Sequence, residues 1–418
     1  MSRRGSSRLW RKLNPNRAHA SVFEIATDTM GTLTDADVCS IKITRGADSP
    51  NPGLSPSMVE YLLPGARYPK TNTGYRVQLS QSFASAYGLP ITRAMGRVGT
   101  FDTDDNGSKF STTVQGVHWS SLLTLSSRKV QPTKGENVTE LVRRALQHPE
   151  LTKLFLPAVV GSADDTINAT TEWTKTSQVL DTYATGTGMQ LRETRFGTVE
   201  VLTLTRRLFE ANQSRAKDLP ILRREGIAPA KWAQAIDGSN TQYVINRNTA
   251  DGVPYSQKWT LPTGMPITVL ETQELDWTNI QCKTENFSFF TQARTLESNW
   301  PENALKELSI DLSALLASKV PYDRALAAQA INYEVGAHIM LGGDWPPAVR
   351  GRYFAQQITE EITPAGWRMS LSLTPASRVV GMSYTESQDV PAYTWAQLNG
   401  TWKDRSGTWA DAKPPVAL

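Results

Sequence analysis

Cys39-Ser40-Ile41-Lys42-Ile43-Thr44 alternates apolar and polar residues. Tyr75-Arg76-Val77-Gln78-Leu79-Ser80, Ile310-Asp311-Leu312-Ser313 and Met369-Ser370-Leu371-Ser372-Leu373-Thr374 repeat the pattern. A period of two over such lengths predicts strands with one buried face, the habit of antiparallel sheets and barrels. Turn residues separate strand-like runs at Asn106-Gly107, expected as a type I′ turn, at Phe196-Gly197 and at Pro364-Ala365-Gly366. The chain reads as mainly β.

Helical spacing is rarer. Asn137 can cap a helix with Glu140 at N3, and Val138, Leu141, Val142, Ala145 and Leu146 form its apolar stripe, ended by His148-Pro149. Further helices are expected over Thr176–Tyr183, closed by Gly186 and Gly188, over Ala230–Ile236, and from Pro321 through Asp323, Leu326, Ala330 and Tyr333. The resulting division is a basic arm (1–20), a first β region (21–130), an α+β insert (131–225), a second β region (226–385) and an extended tail (386–418). Gly96-Arg97-Val98 with the hairpin behind it is echoed by Gly351-Arg352-Tyr353, as expected of two related small barrels in one chain.

The 418 residues are 39% hydrophobic and 20% charged, which excludes a disordered chain. The longest apolar stretch, Leu154 to Val160, is far short of the roughly 20 residues a membrane helix needs, and no secretory h-region follows the N-terminus. Cys39 and Cys282 are too few for a disulfide framework or zinc site, and Cys39 is expected in the core beside Ile41 and Ile43. Residues 1–17 carry Arg3, Arg4, Arg8, Arg11, Lys12 and Arg17 and no acid, leaving 38 basic against 40 acidic residues elsewhere. Such an arm is expected to be mobile or ordered only by a neighbour, with Arg3, Arg4, Arg8, Arg11 and Lys12 as partner contacts.

Trp395, Trp402 and Trp409, each preceded by Thr, recur every seven residues in a polar, glycine-containing tail. Without a second apolar position this is no coiled coil. It reads as an extended segment with Trp anchors for a partner.

Catalytic chemistry is sparse. The four histidines, His19, His118, His148 and His338, lie in no recognised motif, and His118 and His338 sit in strand-like runs next to apolar residues, which favours a structural role. Gly186-Thr187-Gly188 lacks the third glycine and following helix of a nucleotide loop. Asp102, Asp104 and Asn106, before Gly107, match half a calcium loop, but its twelfth position is Thr113 and the run sits between strands. Adjacent carboxylates at Asp164-Asp165 and Glu360-Glu361 face opposite sides of a strand and form no acid/base couple. No catalytic residue, metal or cofactor is therefore assigned.

The order of segments resembles the tail hub, or minor tail, proteins of bacteriophages, related to the baseplate hubs of contractile phages. The resemblance rests on Asp37-Val38-Cys39-Ser40-Ile41-Lys42-Ile43-Thr44-Arg45-Gly46, then Gly74-Tyr75-Arg76-Val77, then Gly96-Arg97-Val98 running to Gly116-Val117-His118-Trp119. Ser177-Gln178-Val179-Leu180-Asp181 and Thr198-Val199-Glu200-Val201-Leu202 follow, and Ser309-Ile310-Asp311-Leu312, Tyr353 through Pro364 and Trp367 through Pro375 close it. The stretch Ser49 to Tyr68 departs from the pattern and is expected to be an inserted loop. The resemblance implies two hub-type β-barrels per chain and a homotrimeric, pseudo-sixfold ring at the virion tail tip, assembled in the host cytoplasm. It further implies contacts with the distal tail protein or tail tube, the tape measure protein and tip or fibre proteins, and passage of genomic DNA. A tail-associated cell-wall hydrolase and a host-glycan-binding module are the competing expectations.

Overall fold

The structure, a computed structural model, describes residues 9, 13, 21–46, 56–107, 109–149, 151–154, 156–160, 165–170, 172–184, 186–187, 189–202, 221–222, 231–233, 242–248, 253–260, 272–281, 304–341, 345–346 and 350–375. Seven strands come first: β1 (Phe23–Thr27), β2 (Gly31–Thr34), β3 (Ser40–Gly46), β4 (Met58–Pro64), β5 (Gly74–Leu79), β6 (Thr92–Asp105) and β7 (Phe110–Val117). The insert adds β8 (Lys129–Val130), β9 (Leu156–Val160), β10 (Thr166–Ile167), β11 (Thr174–Lys175), β12 (Gln190–Glu193) and β13 (Thr198–Leu202). Then come β14 (Ile221–Leu222), β15 (Lys231–Ala233), β16 (Gln242–Asn248), β17 (Pro254–Thr260) and β18 (Thr272–Gln281). The last are β19 (Ala304–Asp311), β20 (His338–Leu341), β21 (Gly351–Thr363) and β22 (Gly366–Pro375).

The fold is mainly β. A large curled sheet of 13 strands runs β15-β19-β22-β21-β3-β4-β7-β6-β5-β1-β2, with β20 and β14 continuing beside β21. Within it, β4-β7-β6-β5 and β19-β22-β21-β20 have the same antiparallel order, three consecutive strands with the first returning beside the last. Both central hairpins also carry a bulge at the same place, between Val98 and Thr100 in one and between Ala355 and Gln357 in the other. The sequence echo therefore extends to four strands. Its register needs correction: aligning the bulges pairs Gly96 with Tyr353, two residues from the Gly-Arg match.

Alternation explains what the sheet buries. Ile41, Ile43, Val59, Tyr61, Leu63, Tyr75, Val77, Leu308, Ile310, Ile358, Met369 and Leu371 share one core. Leu9 and Leu13 of the basic arm lie in it too, so this chain's own core, not a neighbour, takes these two residues. A second core joins the helix Val138–Leu146, the helical turn Thr176–Ala184 and strands β12 and β13 to Trp277 and Ile280 of β18. β18 pairs with β10 of the insert and with β16, so strands β16, β17 and β18 build on the insert. No described helix is long and apolar enough to cross a membrane.

Several local expectations are overturned. Residues 231–233 of the expected helix Ala230–Ile236 are strand β15, because β19 offers them a pairing edge. Strand character ends at Asp311, whose carboxylate accepts the Ala314 N–H and caps the helix Leu312–Ala317. Residues 58–64 of the expected inserted loop are β4, with Val59, Tyr61 and Leu63 buried. Cys39 is exposed, because it precedes β3 and Val38 takes the buried place beside the strand. Asn137 does cap its helix by accepting the Thr139 N–H, but Glu140 turns to Arg143 instead of completing a capping box. Of Asn106 and Gly107 only Gly107 has positive φ, so the pair does not form a type I′ turn, and the Asn106 N–H donates to the Lys109 carbonyl instead.

Candidate functional site: a buried ionic junction

Five charged residues from three parts of the chain meet under the large sheet. Arg45 ends β3, Arg93 begins β6, Arg195 lies in the β12–β13 turn, Glu334 follows the helix Pro321–Ile331, and Glu360 lies on β21. Parity places two of them. Arg45 continues the inward face of Ile41 and Ile43, and Glu360 stands between inward Ile358 and Ile362. Arg45, Arg93 and Glu360 are at most 1% exposed.

Glu360 is the hub of the junction. Its Oε1 accepts from Arg45 at 3.2 Å and from Arg93, and its Oε2 accepts from Arg93 Nε at 3.2 Å. Glu334 Oε2 accepts from Arg45 at 2.8 Å, and its other oxygen pairs with Arg195. Arg93 and Arg195 also donate to the Ile331 carbonyl at 2.7 and 2.9 Å, and Arg195 to Tyr333 O at 2.8 Å. These carbonyls close the helix Pro321–Ile331, whose negative dipole end favours cations. Arg93 further lies 5.9 Å from the Trp367 ring centroid.

Burial alone would raise the Glu360 carboxyl, but the Arg93 and Arg45 guanidiniums overcome it and hold the group below its ordinary value of 4.5. Burial lowers Arg93 and, aided by the neighbouring arginines, brings Arg195 to about 10. Three guanidiniums share two carboxylates here, with carbonyl oxygens of Ile331 and Tyr333 as further acceptors, and the two β units and the insert are tied at one point. Removing one partner of such a set strands a buried charge.

A second junction lies nearby. Ser57 N–H donates to Glu193 Oε2 at 2.5 Å, and His118 Nδ1 lies 3.1 Å from Glu193 Oε1 and from the Ser120 amide. His118 and Glu193 are buried, so the pair fastens the insert to the ends of β4 and β7. Tyr75 crosses the sheet over Gly116, where a Cβ would stand 2.3 Å from its ring. Burial, then the Glu193 charge, raises the Tyr75 phenol, and burial pushes Tyr61 up to about 12.

The residues singled out from sequence lie elsewhere. Asp102, Asp104 and Asn106 are exposed at the β6–β7 hairpin tip; Asn106 Oδ1 accepts from Lys109, and no group of three or more acidic, His or Cys side chains suited to a metal occurs among the described residues. Gly186 is buried against Ile280 and Trp277, and Thr187 beside it is buried and donates to the Tyr183 carbonyl at 2.8 Å. Glu360 and Glu361 do face opposite sides, one buried and one exposed. Arg3, Arg4, Arg8, Arg11, Lys12, Trp395, Trp402 and Trp409 lie outside the described residues.

This architecture is one that tail proteins use. The chain shares its fold with a tail protein from Neisseria meningitidis MC58, at 10% identity and TM-score 0.58, over 86% of this chain and 98% of that one. It matches equally the 43 kDa tail protein of prophage MuSo2 from Shewanella oneidensis, at 11% identity and TM-score 0.57, over 86% and 99%. No family model and no curated protein matches the sequence.

Proposed function

We propose that this chain is a structural tail protein of a tailed bacteriophage, a hub whose three copies form a ring between the sixfold tail tube and a threefold tip. The observation that carries this reading is the repeated four-strand unit. Three chains then offer six similar units, which meets a sixfold partner on one side while keeping threefold symmetry on the other. The fold shared with two tail proteins supports the same reading. The ionic junction suits it as well, because Arg45, Arg93 and Glu360 are buried and serve to tie the parts of the chain together.

In this role the ring passes genomic DNA and contacts the distal tail protein or tube, the tape measure protein and tip or fibre proteins. The basic arm and Trp395, Trp402 and Trp409 are the proposed anchors to them. Truncation after residue 390 should leave the fold intact and reduce incorporation into tails; wild-type incorporation would remove the anchor role. Imaging of the purified chain or the tail should show rings of three copies, and a persistent monomer in assembled tails would contradict the hub.

A further inference from the structure

The two units differ at one edge. β3 pairs with β4, the first strand of its unit, and on its other side with the distal half of β21, from Gly46 opposite Gln357 to Ile41 opposite Ile362. β15 takes the corresponding place in the second unit, beside β19. The registers fix this correspondence residue by residue. Lys42 faces Glu60, Glu60 faces Gln115, and Gln115 faces Thr100, the residue after the bulge. Lys231 faces Glu307, Glu307 faces Ser372, and Ser372 faces Gln357, again the residue after the bulge. Lys231 is thus the counterpart of Lys42, and Thr100–Asp105 that of Gln357–Ile362.

One of these two edges is filled and the other open. β3 covers Gln357–Ile362. Among the described residues, Thr100–Asp105 pairs with β7 on one side and with no strand on the other, since β5 stops opposite Arg97. An open edge presents unpaired N–H and C=O groups, and acidic residues such as Asp102 and Asp104 keep it from pairing at random.

We propose that this edge takes β15 of a second copy of the chain, as β21 takes β3 within one copy. Lys42 faces Glu361 across the filled edge. Counting from the bulge, the counterpart of Glu361 is Asp104. Lys231 of one copy therefore stands opposite Asp104 of the next, an opposite-charge cross-strand pair that fixes register. The acidic run that resembles half a calcium loop thereby gains a role as the receiving edge. Each copy offers one β15 and one open β6 edge, so association is head-to-tail, and the threefold rotation of the hub closes it into a ring. The inference deepens the hub reading and rests on it for the ring, while the strand contact is testable separately.

The test uses the full chain with Cys39→Ser and Cys282→Ser, adding Lys231→Cys and Asp104→Cys. Within one chain these positions lie on strands seven spacings apart in the sheet order, and a disulfide inside one chain would leave a monomeric mass, so covalent multimers report contact between copies. Mild oxidation should give covalent multimers ending at a closed trimer, and neither single-cysteine variant should give that ladder. In the natural cysteine background, Asp104→Lys should weaken association at least tenfold, and adding Lys231→Asp should restore it; Asp104 is exposed, so folding is spared. An oligomer by native mass without the crosslink would overturn the edge contact and leave the ring. A chain that stays monomeric and uncrosslinked would overturn both.

Discussion

The hairpins β6–β7 and β21–β22 share strand order, direction and bulge position, yet their distal halves live in different surroundings. Ile358, Glu360 and Ile362 are buried, while their counterparts Thr103 and Asp105 are exposed and Phe101 is half-buried. The difference comes from neighbours, since β3 and the arginines cover one hairpin, while among the described residues no strand pairs with the outer edge of the other and Tyr68 packs edge-on against its Phe101. Volumes are exchanged as well. Tyr75 pairs with Gly96 and lies over Gly116 in the first unit, where the second unit has Ile339 paired with Tyr353 and Leu373 in the place of Gly116. Similar topology thus tolerates unlike interiors, provided each local set of volumes and charges closes on itself.

The sharpest way to break this comparison is at Glu360. Glu360→Ala should destabilise the chain by about 3–5 kcal/mol by stranding Arg93 and Arg45, whereas Thr103→Ala at the counterpart should change stability by less than about 0.5 kcal/mol. Denaturant unfolding of the two variants measures this, and equal effects would contradict the assignment. Acid should reproduce part of the Glu360 effect. The folded carboxyl titrates below its ordinary 4.5, so its contribution is present above that pH and is lost as pH falls through the lower folded value. Unfolding curves between pH 7 and 3 should show the loss, and Glu360→Gln should flatten that part of the profile.

A smaller effect is expected inside the first unit. Gly116→Ala should cost about 1–3 kcal/mol, because its Cβ meets the Tyr75 ring. Tyr75→Ile, which copies the second unit, should recover part of that loss in the double variant. Additive losses in this cycle would show that the two positions do not share one space.

Strands were legible where alternation was long, as in β3, β5 and β22. They were missed where the pairing edge decides: Lys231–Ala233 has helical spacing but lies against β19. The ionic junction was half legible. Arg45 and Glu360 break the apolar parity of their strands, a signal for an inward charge that needs a partner. Nothing local marks Arg93 or Arg195, because their partners lie 267 and 139 residues away. The unit repeat was visible as one hairpin, and its correct register needed the bulges, which leave no fixed mark in sequence.

The central claim is that two similar units per chain make three chains a pseudo-sixfold ring. Symmetry-resolved electron microscopy of the assembled protein tests it most directly. The account predicts threefold particles in which six four-strand units alternate around the axis, with β15 of each chain against β6 of the next. A monomer would contradict the claim, and a ring in which β6 faces solvent on its outer edge would overturn the strand contact alone.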